Sequence, residues 1–284
     1  MLAIPAVVHL ALVWGPTFGS VALSFASWDG IGGWSDIEWV GLANYQQIIE
    51  VYPPFWTAVR NNLIWLAFFI LIPTPLGLLL AVILDRQLRF GRFYQSAIYL
   101  PVVLSLAVVG LIWQYVYSTD NGLVNHLLDT GLGTAAPDHI DWFGDRDLNI
   151  WAALIAASWR HTGYIMVLYL AGLKSVDPAL KEAAALDGAG EWATFRHVTF
   201  PSLRPVNVVV LVVTVIESLR AFDIVWVINK GTNGLELLST LVAENIVGEA
   251  QRIGYGSALA VMLLVISVGF VSTYLVQTFR EDRR

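Results

Sequence analysis

Charged side chains interrupt two long apolar stretches of this sequence. Arg160 interrupts the first of them. Glu217 and Arg220 interrupt the second, and Asp223 follows shortly after. A charge in hydrocarbon costs at least a few kcal/mol and normally faces a bundle interior or a water-filled path. Glu217 and Arg220 are three residues apart, so one helix face could hold both, and Arg160 could pair with Glu217 from a neighbouring helix.

These charges have two interpretations, and the sequence leaves both open. They could line a polar path and form hydrogen bonds to a solute, or they could be a salt-bridge network that locks two helices. Their charges sum to zero, which favours a neutral solute over a phosphorylated one. Sugar hydroxyls need directional donors and acceptors together with an apolar surface. The residues expected to line the path are Trp113, Gln114, Arg160, His161, Tyr164, Thr214, Glu217, Ser218, Arg220 and Asp223, with Tyr117 and Trp159 nearby.

The elements that must position these residues are membrane helices. The 284 residues are 57% hydrophobic and only 13% charged, whereas soluble domains are about 25% charged. Backbone groups in lipid must be paired within their own segment, so long uncharged runs predict helices. We therefore expect an all-α membrane protein with a single domain over 1–284. The six predicted spans are about 3–27, 57–84, 95–117, 150–173, 206–228 and 254–279, and Pro73 and Pro75 should kink the second.

Basic residues are divided unequally between the two sides of the predicted bundle, ten against four. The positive-inside rule places the richer side in the cytoplasm, together with both termini and the loop 174–205. The richer side has Arg86, Arg89, Arg92, Lys174, Lys181, Arg196, Arg204, Arg280, Arg283 and Arg284, and the other side has Arg60, Arg146, Lys230 and Arg252. Thirteen carboxylates fall outside, where they serve solubility or form a docking surface for a partner with basic patches.

Two external connections differ in their predicted order. Residues 44–51 could form a short helix at the membrane interface. Ser118–Leu148 is rich in Gly, Asp and Asn, which predicts a loop with little regular structure.

The polar loop 174–205 has helix signals of its own. Asp177 can cap a helix, and a proline follows at the first helical position. The alanine-rich run after it favours a helix, which Gly188 should end. A second short helix over 191–200 should stop at Pro201. The loop therefore predicts a helix–glycine–helix element on the cytoplasmic surface.

The same loop reads Glu182-Ala-Ala, three residues, Gly188, nine residues, Val198, one residue, Phe200-Pro201. This spacing resembles the EAA loop of bacterial ABC importer permeases, which usually has Ile and Leu at the positions of Val198 and Phe200. We call residues 174–205 the EAA loop. The resemblance implies a type I importer permease fold in which this loop docks on an ATPase subunit. The residues that it assigns to coupling with the ATPase are Glu182, Ala183, Ala184, Asp187, Gly188 and Pro201.

Weaker matches over nearly the whole chain resemble the carbohydrate-importer permeases, specifically the first of their two permeases. Gly77, the pair Leu100-Pro101 and the segment Phe222–Trp226 fit that pattern. One departure is Asn229–Asn233, where the family commonly has Thr-x-Gly-Gly-Pro. The outer end of the fifth span therefore differs from the family pattern.

The resemblance implies an assembly in the bacterial cytoplasmic membrane that imports a sugar or oligosaccharide. Its other parts would be a second homologous permease, an ATP-binding cassette ATPase dimer and an extracytoplasmic solute-binding protein, with membrane lipid around the spans and no nucleic acid. ATP and Mg would belong to the ATPase, because this chain has no G-x-x-x-x-G-K-[ST] motif. Cysteine and H-E-x-x-H are also absent, so we expect no metal, cofactor or catalytic site in this chain.

Three alternatives stay open at this point. An importer of glycerol-3-phosphate or glycerophosphodiesters would belong to the same class of transporter. An ion-coupled secondary transporter would use the mid-membrane charges as relays, work without an ATPase and depend strongly on pH. A non-transporting scaffold or receptor would tolerate neutralisation of Arg160 and Glu217.

Overall fold

Helices dominate the computed structural model, which describes residues 3–86, 88–132, 139–248 and 251–281. Arg283 and Arg284 of the predicted cytoplasmic cations lie outside the described residues, as do Asp138 and Glu249 of the external carboxylates. In chain order the helices up to the EAA loop are α1 (Ala3–His9), α2 (Gly15–Leu23), α3 (Ala43–Glu50), α4 (Pro53–Leu71), α5 (Pro73–Asp85), α6 (Gly91–Val103), α7 (Leu106–Val116), α8 (Leu123–Leu132) and α9 (Asn149–Ser175). The later helices are α10 (Pro178–Leu186), α11 (Glu191–Thr194), α12 (Phe200–Ser202), α13 (Arg204–Leu219), α14 (Asp223–Asn229), α15 (Leu238–Ile246) and α16 (Ile253–Glu281).

Several of these helices are candidate membrane spans. Within the described part of the chain, Ile4–Leu23, Pro53–Asp85 and Ile253–Tyr274 are long and apolar enough to cross a bilayer. The pair α6 and α7 would add a fourth span if the two helices are counted together. The number of six spans therefore stays a prediction.

The N-terminal helix is continuous but contains one wide turn. The π-helical turn Leu10–Trp14 joins α1 to α2 without a break. Beyond it, the two-residue strands β1 (Ala26–Ser27) and β2 (Glu38–Trp39) pair antiparallel, and a 3-10 turn (Trp34–Asp36) precedes β2. The helix expected at 44–51 is confirmed as α3.

The second predicted span consists of two helices that meet at Ile72. The backbone of Ile72 leaves helical geometry, with φ −113° and ψ −74°. Pro73 and Pro75 lack the N–H groups that would continue the hydrogen-bond ladder, and Pro73 is tolerated as the first residue of α5. The interruption expected from the two prolines is confirmed.

The third predicted span, 95–117, is not one straight helix. The axes of α6 and α7 are bent by 102°. Pro101 lies in the last turn of α6, and Ser105 caps α7 by accepting a hydrogen bond from the Val108 N–H over 3.3 Å. A proline near the end of one helix and a capping serine at the start of the next together explain the sharp turn.

The expectation of little regular structure over Ser118–Leu148 was wrong for part of that stretch. Helix α8 occupies Leu123–Leu132, whereas 133–138 lie outside the described residues. The amide of Asn125 donates to the carbonyls of Thr119 and Ile140 over 3.0 and 2.9 Å. Side-chain hydrogen bonds of this kind hold a polar connection together without a large apolar core.

The long helix α9 lies at the centre of the bundle, where glycines allow close contacts. A Cβ atom on Gly77 of α5 would lie 2.8 Å from the Ile165 side chain, and one on Gly163 would lie 2.4 Å from the Ile98 carbonyl oxygen of α6. A Cβ atom on Gly172 would lie 2.6 Å from Val206 of α13. Small residues let membrane helices approach closely where lipid gives no hydrophobic driving force between them. Helices α5, α6 and α13 are therefore all fitted tightly against α9.

The fifth predicted span is broken into α13 and α14. Residues 220–222 separate the two helices, and α14 then ends in a turn in which Lys230 and Gly231 both have positive φ, 58° and 70°. The Asn229 side chain closes this turn, because its oxygen accepts from the Gly231 N–H over 3.0 Å and its amide donates to the Thr232 carbonyl over 2.9 Å. The stretch that departs from the family pattern thus forms its own hydrogen-bonded turn.

Candidate functional site

An ion pair joins α9 to α13 within the membrane bundle. Arg160 Nη1 lies 3.7 Å from Glu217 Oε2, and the two side chains are 25% and 34% exposed. The pairing expected from the sequence is confirmed. At this distance the contact is loose, so both groups keep hydrogen-bonding capacity for a third partner.

A cavity of about 20 Å³ lies beside the ion pair. That volume suffices for about one water molecule, so no wide path is open here. Two buried donors belong to the lining residues and have no hydrogen-bond partner within the described residues, Arg160 Nε and Trp65 Nε1. Because buried polar groups are normally paired, these two unpaired N–H groups stand out among the residues that line the cavity. The lining residues are Trp65, Phe69, Leu106, Ala157, Arg160, His161, Glu217, Ala221 and Ile224.

Three further residues predicted for the path are buried close to the ion pair. His161 stacks on Phe69, with ring centroids 4.4 Å apart, and its Nε2 lies 3.3 Å from Thr214 Oγ1. The Thr214 hydroxyl also lies 3.4 Å from Thr74 Oγ1, so one hydroxyl joins α5, α9 and α13. Ser218 donates to the Thr214 carbonyl over 2.7 Å. Thr214 and Ser218 are fully buried; the Thr214 hydroxyl contacts α5 and α9, whereas the Ser218 hydroxyl bonds within α13.

The other two charges flank the break between α13 and α14. Arg220 and Asp223 are both exposed, and neither forms an ion pair within the described residues. The expected pairing of Glu217 with Arg220 was wrong, because α13 ends one residue before Arg220. Ser239 donates to the Ala221 carbonyl over 3.2 Å. This bond satisfies part of the backbone that the break leaves without a helical partner.

The predicted aromatic residues form a group next to the charges. Trp113 contacts Tyr117 and Trp159, with ring centroids 5.1 and 6.1 Å apart. Trp113 Nε1 is buried and has no hydrogen-bond partner within the described residues. The group offers large apolar ring surface with one unused donor.

Gln114 and Tyr164 lie away from the cavity. Gln114 Nε2 donates to the carbonyls of Val227 and Ile228 over 3.0 and 2.9 Å, so it fixes the end of α14. Tyr164 packs against an apolar cluster that includes Ile165, Met166 and Tyr169. Neither residue lines the cavity in this conformation.

The first part of the EAA loop has the predicted geometry. The Asp177 carboxylate accepts from the Ala179 N–H over 2.9 Å and caps α10. The helix ends before Gly188, whose φ is 79°. Ala184 is buried, whereas the other side of α10 is open to solvent. The exposed residues include Glu182, Ala183, Ala185, Leu186, Asp187 and Gly188.

The second part of the EAA loop differs from the prediction at Pro201. Helix α11 continues into a π-helical turn, Phe195–Thr199, and then into α12, which contains Pro201. The stop expected at Pro201 was wrong, because the proline occupies the first turn of α12, where no N–H is needed. The wider turn before it ends with the Phe200 N–H donating to the Phe195 carbonyl.

Comparison with known families identifies the class of protein. Residues 74–283 match the model of the binding-protein-dependent transport system inner membrane component. The chain belongs to this family. It is thus an integral membrane component of a transport system, and the family resemblance inferred from the EAA loop is confirmed.

Relatives of this inner membrane component extend over nearly its whole length. A probable ABC transporter permease of Pyrococcus horikoshii is 32% identical, covering 98% of this chain and 92% of the relative. A xylose/arabinose import permease of Haloferax volcanii is 33% identical, covering 98% and 86%. An arabinooligosaccharide transport permease of Bacillus subtilis is 31% identical, covering 87% and 79%.

A solved structure shares the fold of this inner membrane component. A chain of a bacterial ABC transporter that imports the acidic polysaccharide alginate aligns with a TM-score of 0.84 and 21% identity, covering 98% of this chain and 94% of the other. A second structure of a bacterial alginate ABC transporter, in complex with a pentasaccharide-bound periplasmic protein, aligns with a TM-score of 0.82 and 21% identity, covering 96% and 91%. The importer-permease fold is thereby confirmed.

Sequence reasoning missed several residues of this inner membrane component. Trp65 supplies one of the two unpartnered donors at the cavity, and Phe69 stacks on His161. Trp65 and Phe69 lie four residues apart from each other in an apolar run. This spacing is typical of any buried helix face. Thr74 was also missed, although a hydroxyl between two prolines at a helix break was a usable signal.

Proposed function

We propose that this chain is a permease subunit of an ATP-driven importer that translocates a sugar or oligosaccharide delivered by an extracytoplasmic binding protein. The observation that carries the proposal is the pair of unpartnered buried donors, Arg160 Nε and Trp65 Nε1, at the small cavity. Donors of this kind suit the oxygen atoms of a polar, uncharged solute. The names of the xylose/arabinose and arabinooligosaccharide relatives support the same class of solute.

The charge at the cavity supports a neutral solute. Arg160 and Glu217 are paired, so the site has no net cation to bind a phosphate. A glycerol-3-phosphate site would require positive charge in excess, because phosphate recognition depends on charge-assisted hydrogen bonds. The exposed ring of Trp159 and the partly exposed ring of Trp113 would supply the apolar surface that a sugar ring needs.

Energy would come from a separate ATPase dimer that holds ATP and Mg. The exposed side of α10, with Glu182, Ala183 and Asp187, would be the surface that docks on it. Closure of the ATPase on ATP would move the EAA loop, and the bundle would then alternate between outward-open and inward-open states. A second homologous permease would form the rest of the path. In this chain the cavity beside Arg160 and Glu217 has a volume of only about 20 Å³.

The test is uptake by a reconstituted complex. The chain would be purified with its partner permease and ATPase, placed in proteoliposomes and supplied with binding protein loaded with labelled arabinooligosaccharide or xylose. We expect uptake that requires both ATP and the binding protein. Uptake driven by a proton or sodium gradient without ATP would instead establish a secondary transporter, and ATP-driven uptake of glycerol-3-phosphate alone would overturn the sugar assignment.

A further inference from the structure

Three helices are attached to the EAA loop, and only two of them by the chain itself. Helix α9 leads into the loop at Ser175 and α13 leaves it at Arg204. Helix α5 is the third, and it belongs to a distant part of the sequence. Its attachment consists of side-chain contacts at the cytoplasmic end.

Two ion pairs make this attachment, one from the last residue of α5 and one from the residue that follows it. Lys181 Nζ of α10 lies 3.5 Å from Asp85 Oδ2. Arg86, the residue after Asp85, lies with Nη2 2.8 Å from Glu191 Oε2 of α11. Helices α10 and α11 of the EAA loop are therefore each joined by an ion pair to the C-terminal end of α5. Exposed pairs add little to stability, about 0.2–1 kcal/mol each, but two of them in one place fix a position.

The opposite end of α5 meets the same two helices again. Thr74, the second residue of α5, contacts Thr214 of α13 with 3.4 Å between their hydroxyl oxygens. Thr214 in turn contacts His161 of α9 at 3.3 Å. The three helices attached to the EAA loop, α5, α9 and α13, thus meet at one hydrogen-bonded cluster. His161 is the immediate neighbour of Arg160, whose partner Glu217 lies on α13.

Between these two ends α5 has little freedom to move independently. It has 13 residues, a length of about 20 Å at 1.5 Å per residue. Gly77 lies against Ile165 of α9 without room for a Cβ atom, and Ala81 is fully buried. Close-packed surfaces of this kind transmit displacement because they have no empty space to absorb it.

We infer that α5 is a strut that transmits the displacement of the EAA loop to the Arg160–Glu217 site, with Asp85, Arg86, Lys181 and Glu191 as positioning residues. This inference rests on the proposed function. The distortion at Ile72 is the joint between α4 and the strut, where Pro73 and Pro75 leave the hydrogen-bond ladder incomplete.

The experiment measures sugar molecules transported per ATP hydrolysed by the reconstituted complex. Lys181→Asp and Asp85→Lys each place like charges together, and we expect each to lower this ratio about two- to fivefold, the effect of a coupling free energy near that of an exposed pair. The exchanged pair, Asp85→Lys with Lys181→Asp, should restore the ratio. Lys174→Asp is the matched control. Lys174 is exposed in the last turn of α9, next to the EAA loop, and forms no ion pair within the described residues.

The outcomes separate the strut from the proposed function. If the unmodified complex shows no ATP-dependent uptake, the proposed function fails. If it does, and the single reversals keep the normal ratio or the exchanged pair fails to restore it, the strut is overturned. Arg86→Glu, Glu191→Arg and their exchange give an independent repeat at the second pair, usable if a Lys181 variant fails to assemble. Thr74→Val tests the far end, where a lowered ratio at a normal ATPase rate is expected and an unchanged ratio would contradict the inference.

Discussion

At the scale of single residues, the Arg160–Glu217 pair could serve as a helix lock or as a solute contact. The distance of 3.7 Å and the partial exposure of both side chains leave it able to bind a third group. A lock depends only on opposite charges facing each other. A solute contact depends also on whether the guanidinium is at position 160 or at position 217. Exchanging the two residues therefore distinguishes the roles.

Glu217→Gln should reduce uptake up to about fivefold, because the partly buried Arg160 guanidinium loses its ion-pair partner and such a pair contributes up to about 1 kcal/mol. The measurement is ATP-dependent uptake, with unfolding temperature as a check on stability. Glu244→Gln is the control, since Glu244 is exposed and forms no ion pair within the described residues.

The exchanged pair Arg160→Glu with Glu217→Arg decides between the two roles. If it restores the unfolding temperature but not uptake, the pair contacts solute. Recovery of both would show that the pair acts only as a lock.

Trp65→Phe should lower the uptake rate about two- to tenfold, because it removes a donor whose hydrogen bond contributes about 0.5–1.5 kcal/mol. Trp56→Phe is the control: it also removes an indole N–H, but that N–H donates to the Ile49 carbonyl and Trp56 is not among the residues that line the cavity. Uptake would be compared in the same proteoliposomes. Equal losses in both variants would contradict a specific role for Trp65.

A pairing between residues could be predicted from the sequence only where leaving one of them unpaired would cost free energy. The Arg160–Glu217 pair was predictable because an isolated charge in hydrocarbon needs a partner. The Glu217–Arg220 pair failed because it assumed a continuous helix, whereas α13 ends before Arg220. Trp65 has no sequence signal that separates it from other core residues. The roles of the predicted path residues remain predictions.

At the scale of elements, the EAA loop has two sides with different surroundings. Ala184 is buried, while Glu182 and Asp187 are exposed. The exposed side is available to a partner without unfolding anything. Gly188 has φ 79° and no neighbouring atom within 4 Å of a Cβ position, so its requirement for glycine is conformational rather than steric.

Glu182→Lys should uncouple ATP hydrolysis from uptake while leaving membrane insertion and yield unchanged. The reason is that the substitution reverses a charge on the exposed docking side without disturbing a buried contact. ATPase activity and uptake would be measured on the same preparation. Normal coupling in this variant and in Gly188→Trp would rule out docking through this surface.

Local helix signals predicted some elements well and others poorly. Asp177, the following proline and Gly188 predicted α10 correctly, because capping and left-handed backbone are local properties. The bend between α6 and α7 was missed, since an apolar run hides the effect of Pro101 and Ser105 on direction. Pro201 was misjudged for a related reason: a proline can begin a helical turn as well as end one.

At the scale of the whole molecule, orientation follows from the charges of the loops. We infer cytoplasmic termini from the ten-to-four division of basic residues. The two ion pairs of α5 and the EAA loop lie on that same basic side. The short helices α3, α8 and α15 lie in connections that the same count predicts to be external.

The absence of cysteine from the sequence makes this orientation directly testable. Thr232→Cys should react with a membrane-impermeant maleimide in intact cells, whereas Asp187→Cys should react only after the membrane is opened. Both side chains are exposed, so accessibility within the protein is matched. The reverse pattern of labelling would contradict the predicted orientation.

The small cavity beside Arg160 also has a consequence for the voltage across the membrane. Protons and small ions cross bilayers along files of water, and a space of about 20 Å³ with Trp65 and Phe69 in its wall holds about one water molecule. A space for one water molecule, lined also by Arg160, His161 and Glu217, does not hold a continuous file of water. Each elementary charge that leaked inward across 100 mV would dissipate about 2.3 kcal/mol. Close packing at this point therefore lets an idle importer remain in the membrane as an electrical insulator.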